Sequence, residues 1–175
     1  MTEFSYELRI PKDRIAVLIG EKGKVKKQIQ TATKTKIEID SKEGDITITG
    51  EDALGLYTAR EIINAISRGF NPDIAQLLLK GDYILEIVNI MDYAKTKPSA
   101  IRLKGRVIGR AGKSRQIIEE LTETHISVYG KTISIIGLPE NVAGARKAIQ
   151  TLLEGGSHAN VYKWLEKSRR KERIE

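Results

Sequence analysis

The sequence predicts an α+β protein made of two copies of one unit, each ordered strand, helix, helix, strand, strand, helix, with a further helix at the C-terminus. Three observations predict it. Leu18-Ile19-Gly20-Glu21-Lys22-Gly23-Lys24 recurs eighty-nine positions later as Val107-Ile108-Gly109-Arg110-Ala111-Gly112-Lys113. Downstream, Ile29 answers Ile118, Ile37 answers Ile126, and Ile39 answers Val128. After a tighter hairpin, Ile46, Ile48 and Gly50 answer Ile133, Ile135 and Gly137. A repeat this long, whose only length change falls between two strand-like runs, is an internal duplication. The 175 residues are accordingly expected to divide into a first unit at 1–69, a helical linker at 70–82, a second unit at 83–155 and a basic helix at 156–175. Each unit is large enough to bury a modest core.

Phe4, Tyr6, Leu8 and Ile10 alternate with Ser5, Glu7 and Arg9, the pattern of a half-buried strand, and Pro11 stops it. Asp13 is placed to cap a short helix carrying Ile15, Ala16, Leu18 and Ile19 on one side. After the first glycine pair, Lys24 to Thr33 reads as a helix with Val25 and Ile29 inward. Residues 36–40 and 45–49 alternate as two strands around a Ser-Lys-Glu-Gly turn, and Glu51 to Arg68 is a long amphipathic helix closed by Gly69. Residues 70–82 form a short helical linker between Pro72 and Gly81.

Tyr83 to Met91 opens the second unit as a strand with apolar residues on both faces, Leu85 and Ile87 on one and Ile84, Val88 and Ile90 on the other. Such a strand is expected to be covered on two sides, by the first unit or by the C-terminal tail. Helices near Ser99–Ile108 and up to Thr122 flank the second glycine pair, and strands follow at Ile126–Tyr129 and Thr132–Ile136. Pro139 opens a helix to Leu153, ended by Gly155-Gly156. Ser157 caps a last helix with Val161, Trp164 and Leu165 inward and Lys163, Lys167, Arg169, Arg170, Lys171 and Arg173 mostly outward. That basic end is either an RNA contact or a solvated, fraying tail.

The stretch from Tyr93 to Gln116 contains eight Lys or Arg and no Asp or Glu. Two glycines three apart permit a bend that side chains obstruct. A helix starting at the second glycine directs its first free N–H groups at the bend and favours an anion there. Arg110, Lys113 and Arg115 add longer-range attraction for phosphate. The two turns differ in charge. The first holds Glu21, with Asp40, Glu43 and Asp45 across the expected groove, while the second holds Arg110 and is faced only by Gly130-Lys131. Carboxylates repel a phosphate chain, so the second unit is expected to be the principal phosphate-chain reader. The first is expected to be a weaker reader or a docking surface.

Composition agrees. Net charge is +7 with a pI near 9.5, which favours nucleic acid before membrane as the acidic partner. No apolar run is long enough to cross a bilayer, and the N-terminus lacks a signal-peptide pattern. The absence of Cys fits a reducing interior, so the expected location is the cytoplasm. No cofactor is expected. Abundant Ile, few amides and 30% charged residues match a heat-adapted composition.

The Ile-Gly-x-x-Gly turns at Ile19–Gly23 and Ile108–Gly112, set between helices in this element order, resemble the type I KH domain. The resemblance implies a three-stranded antiparallel sheet packed on three helices, holding about four unpaired nucleotides with the glycine turn against the sugar-phosphate chain. In the second unit it implies a site of Arg106, Ile108, Gly109, Arg110, Ala111, Gly112, Lys113, Arg115, Ser127, Val128 and Tyr129. In the first it implies a weaker one of Ile19, Gly20, Glu21, Lys22, Gly23 and Lys24, beside the strand at Glu38–Asp40. The family usually has an aliphatic residue three positions after the second glycine; here that position is Lys26 or Arg115, so the groove floor is expected to be built differently. Aromatic residues are only 5% of the chain, so extensive ring stacking on bases is not expected.

Longer stretches are similar to the archaeal members of the partner-of-Nob-one family of tandem-KH small-subunit assembly factors: RGFNPDIAQLLLKGDYILEIVNI at 68–90, RLKGRVIGRAGKSRQIIEELT at 102–122 and GGSHANVYKWLE at 155–166. This resemblance implies a non-enzymatic protein that binds single-stranded RNA at the 3′ region of small-subunit rRNA during ribosome maturation. It also implies, as partners, the endonuclease that trims that RNA and an initiation-factor subunit. Rival readings are a general RNA-binding subunit of a decay or translation complex, and a protein-interaction scaffold that binds no RNA.

Other chemistries fail on spacing. Gly112-Lys113-Ser114 resembles the end of a P-loop, but the glycine required five positions earlier is Val107, and a dinucleotide-binding pattern fails at the same place. His125 and His158 are the only histidines, and without Cys they make an improbable zinc site; His125 reads as a strand-start residue. Asp45, Glu51 and Asp52 suit turn and capping roles better than metal-dependent nuclease chemistry. Trp164 suits a core, and Tyr129 either stacks on a base or packs structurally.

Overall fold

The computed structural model describes residues 2–174, and the chain separates into two units, Met1–Tyr83 and Ile84–Glu175. The first unit runs β1 (Phe4–Arg9), α1 (Lys12–Ile19), α2 (Lys24–Thr33), β2 (Thr35–Ile39), β3 (Asp45–Gly50) and α3 (Ala53–Ser67). The second runs β4 (Ile84–Asn89), α5 (Lys97–Ile108), α6 (Lys113–Thr122), β5 (His125–Tyr129), β6 (Thr132–Gly137) and α7 (Pro139–Leu153). A short helix α4 (Pro72–Ala75) and a 3-10 turn over Gln76–Leu79 follow α3 and pack on it, and α8 (His158–Ile174) follows α7. Both sheets are antiparallel with the last strand central, in the orders β1-β3-β2 and β4-β6-β5.

The duplication extends to individual hydrogen bonds. Thr33 and Thr122 each donate to the carbonyl four residues back, Ile29 or Ile118, at 2.6 Å. Each also meets the next threonine hydroxyl, Thr35 or Thr124, at 2.8 Å. These pairs hold the helix-to-strand corners, where Lys34 and Glu123 close α2 and α6 in the left-handed conformation. The cores are built on matched positions: Ile29, Ile37, Ile46 and Ile48 in one unit, Ile118, Ile126, Ile133 and Ile135 in the other, all at or near zero exposure. Burying one such side chain stabilises by about 1.5–3 kcal/mol.

An arginine from the first helix of each unit fastens the C-terminal end of its long helix. Arg14 donates to the carbonyls of Ile66 and Phe70, both at 2.8 Å. Arg106 donates to those of Leu152, at 3.1 Å, and Gly156. Carbonyls at a helix end lack intrahelical partners, so a cation there satisfies both charge and hydrogen bonding.

Three expectations are corrected. Phe4 and Tyr6 are exposed rather than half-buried, and only Ile10, past the end of β1, is fully buried. β1 is an edge strand, and the Arg60 guanidinium of α3 lies over the Tyr6 ring, 4.8 Å from its centre. Asp13 does not cap α1; Pro11 occupies that position and Asp13 lies in the first turn. The face of β4 that carries Leu85 and Ile87 is not fully covered: Leu85 is half-buried and Ile87 is 43% exposed, and α8 packs on α6 and α7. Val161 and Leu165 are the buried side of α8, while Trp164 is half-buried under Lys147 of α7.

Candidate nucleic-acid interface

The two glycine turns have nearly the same backbone. Gly20 and Gly109 both have φ 75° with ψ 174° and 176°. Lys22 and Ala111 both have φ 54°, and Gly23 and Gly112 both have φ 75° with ψ 14° and 10°. The first glycine of each turn serves packing as well as conformation. A Cβ on Gly109 would lie 2.6 Å from the Ser114 Cβ and 2.7 Å from the Ser114 backbone nitrogen, and Gly20 meets Val25 in the same way. The second glycine has nothing within 4 Å of a Cβ position. The N–H groups of Gly23 and Gly112 donate to the Gly20 and Gly109 carbonyls at 3.2 Å, and the open side lies at the N-termini of α2 and α6, where the helix dipole favours an anion.

In the second unit Ile108 is half-buried beside the turn while its neighbour Val107 is fully buried in the core. Opposite stands β5, an edge strand paired only with β6. Its free edge is partly occupied: the Ile126 N–H donates to Glu119 Oε2 at 2.9 Å, and the Ile126 carbonyl accepts from Arg115 at 3.2 Å. In an antiparallel strand the outward backbone groups recur every second residue, so Val128 is the next to present its N–H and C=O along the open edge. The side chain of Val128 packs against the core. Ser127 and Tyr129, offset by one, point to the other face of the sheet. Of the three strand residues expected at the groove, Val128 is thus the one that presents its backbone along the open edge. Tyr129 is not positioned as a platform on the helix side.

The expected cations separate into two kinds. Arg110 and Lys113 are exposed and take no hydrogen bond or ion pair among the described residues. Arg106 is committed to the end of α7, and Arg115 to Ile126 and, at 3.4 Å, to Glu119. Arg115 therefore builds the groove floor as a strut between α6 and β5, which accounts for a cation at a position the family usually fills with an aliphatic residue. Lys104, outside the motif, reaches from α5 to the Gly130 carbonyl of the β5–β6 turn at 3.3 Å. Its place in the basic stretch was visible in sequence; its reach across to the hairpin was not.

In the first unit Ile19 is half-buried, and Glu21, Lys22 and Lys24 are exposed around the turn. An open depression of about 720 Å³ beside it is lined by Glu21, Lys22, Lys24, Lys27, Gln28 and Ala32 among others. Asp45 is not an unopposed negative charge. Arg9 bonds it at 2.9 Å, and this hydrogen bond, the largest influence, holds the Asp45 carboxyl below its ordinary range. Asp40 accepts from the Lys42 and Glu43 N–H groups of its turn, and Asp52 caps α3 through the Leu54 N–H. Among the described residues no group of three His, Cys, Asp or Glu could hold a metal ion, and no helix is long and apolar enough to cross a membrane.

A three-stranded sheet backing two helices joined by a Gly-x-x-Gly turn, with an edge strand facing that turn, is the type I KH domain, present here twice. Family models agree, the KH domain matching residues 5–65 and the eukaryotic-type KH domain (KH domain type I), in its PNO1 second-domain form, matching residues 84–170. The chain belongs to the PNO1/Dim2 family of tandem KH-domain proteins. It is 51% identical to a KH domain-containing protein of Methanocaldococcus jannaschii, over 94% of this chain and 74% of that one. The Dim2p of Pyrococcus horikoshii OT3, solved in a complex with a/eIF2alpha and rRNA, superposes with a TM-score of 0.91 at 46% identity, covering 97% of this chain and 96% of that one. The pre-rRNA-processing protein PNO1 of Chaetomium thermophilum is 32% identical over 85% of this chain, which spans 58% of that protein's length.

Proposed function

We propose that this chain is a non-catalytic, cytoplasmic protein that binds single-stranded RNA at the 3′ region of small-subunit rRNA during ribosome maturation, with the second KH unit as the principal reader. The observation that carries this reading is the second glycine turn: an open bend at the start of α6, with Arg110 and Lys113 unpaired and an edge strand opposite. Backbone N–H groups and cations hold phosphates, Ile108 and Val128 offer aliphatic contact to bases, and the Val128 edge offers hydrogen bonds to base edges. The related Dim2p in complex with rRNA and the relative named for pre-rRNA processing support this substrate class.

The first unit, with Glu21 in its turn and the depression beside it, suits a protein partner better than a phosphate chain. An initiation-factor subunit is the partner we assign to it, in keeping with the relative solved with a/eIF2alpha. The endonuclease that trims the rRNA is proposed as a further partner.

Fluorescence anisotropy with short single-stranded and duplex RNA tests the proposal. Single strands are expected to bind at least about tenfold more tightly, because a groove that receives splayed bases cannot admit a stacked duplex. Equal affinity for both forms overturns it. Lys113→Ala is expected to weaken binding about three- to tenfold and to reduce the salt slope by about one, as for one lost phosphate contact. Alanine at Glu21 or Lys22 is expected to change RNA affinity less than about twofold, within what a remote surface charge contributes.

A further inference from the structure

The second glycine turn has another side. On α5, Lys104 and Ile108 lie one turn apart and face the hairpin and groove, whereas Arg102 and Arg106 lie on the opposite side of the helix. There α5, the turn, α6 and α8 border a cleft of about 580 Å³ whose lining includes Arg102, Arg106, Arg110, Lys113, Ser114 and His158. No carboxylate lines it. Ser114 is only 2% exposed, and its hydroxyl has no hydrogen-bond partner. Ser114 lines the cleft, so an acceptor that enters it would satisfy that hydroxyl. His158 Nε2 lies 2.8 Å from the Arg106 carbonyl, which can only accept, so that nitrogen donates and Nδ1 is left for another partner.

The first unit shows that none of this follows from the fold. At the same offset, Asp13, Val17, Glu21 and Val25 stand where the second unit has Arg102, Arg106, Arg110 and Ser114, and only Lys24 matches, with Lys113. Two cations become carboxylates and the buried hydroxyl becomes a methyl, although the turn geometry is preserved.

We infer that this cleft is a second phosphate site, which receives the backbone phosphate of an RNA strand continuing past the glycine turn from the groove on its other side. The inference rests on the proposed RNA reading of the turn. It extends the bound segment beyond the nucleotides the groove holds and adds Arg102 as a phosphate contact. Arg106 lines the cleft, but its guanidinium is already held by the end of α7.

The test uses the full chain and labelled single-stranded RNA of random sequence in two lengths, about four nucleotides, enough for the groove, and about twelve. Arg102→Asp, which installs the residue of the first unit, is expected to weaken the longer RNA about tenfold and lower its salt slope by about one, while leaving the shorter RNA within about twofold. Arg102→Gln is expected to act in the same direction, about threefold, without adding a negative charge. Equal loss at both lengths, or no loss at either, overturns the inference. A variant with aspartate at both Arg110 and Ala111 separates the two claims: if it keeps wild-type affinity for both lengths, the groove reading itself fails and takes this inference with it. Inorganic phosphate provides the last arm. A phosphate-dependent rise in melting temperature that Arg102→Asp abolishes, with no dependence of RNA affinity on that residue, assigns the cleft to a free anion and overturns the RNA assignment.

Discussion

Replacing Arg110 and Ala111 together by aspartate is expected to lower affinity for single-stranded RNA by about a hundredfold or more, with a change in melting temperature of no more than a few degrees. The affinity term is electrostatic. One exposed cation and one neutral residue become two carboxylates at the mouth of a helix N-terminus, where the phosphate chain is proposed to lie. Losing one or two charge-assisted contacts of about 1.5–3 kcal/mol each accounts for a loss of that size. The stability term is small for two reasons. Ala111 already sits at φ 54°, a conformation aspartate tolerates better than most residues, and Arg110 has no partner to lose. Negative charge at the start of α6 also suits the helix dipole. Anisotropy and thermal melts on the same preparation check both, and wild-type affinity in a folded double variant removes the turn from the binding site.

The second large effect is on stability and separates the two glycines of one turn. Gly109→Ala is expected to destabilise the second unit by about 3 kcal/mol, and Gly112→Ala by about 1 kcal/mol. Gly109, at φ 75° and ψ 176°, occupies a region open almost only to glycine, and an added Cβ would be 2.7 Å from backbone nitrogen. Gly112, at φ 75° and ψ 10°, is in the ordinary left-handed region with open space around it. Denaturant midpoints at constant slope measure the difference. Equal costs would show that the close approach of α6 to Gly109 is relieved by movement of the helix.

Much of this was legible in the chain because it is local. The Gly-x-x-Gly pairs, the strand alternation at 45–49 and 132–136, and the bounds of α2 and α7 follow from spacing within a few residues. β1 misled because alternation reports which way side chains point, not whether anything lies above them; Phe4 and Tyr6 face the helix side of an edge strand whose outer end stays exposed. Ile108, Gly109, Arg110, Gly112 and Lys113 lie at the second turn and the helix ends beside it, as their spacing requires. Arg106 and Arg115 are held by partners distant in the chain, and Ser127 and Tyr129 point to the other face of the sheet, which adjacency in sequence does not reveal.

The sequence by itself determined that there are two copies of one unit, that each contains a glycine turn between helices, and that positive charge is concentrated around the second. These are properties of neighbours along the chain and of a repeat visible on alignment with itself. Only the tertiary structure decided which cations remain available. Arg106 meets carbonyls 46 and 50 positions away, Arg115 meets an edge strand, and Arg102 is brought beside Ser114 and α8. A guanidinium binds whichever acceptor the fold brings within reach, and that is set by packing between distant elements rather than by the identity of the residue.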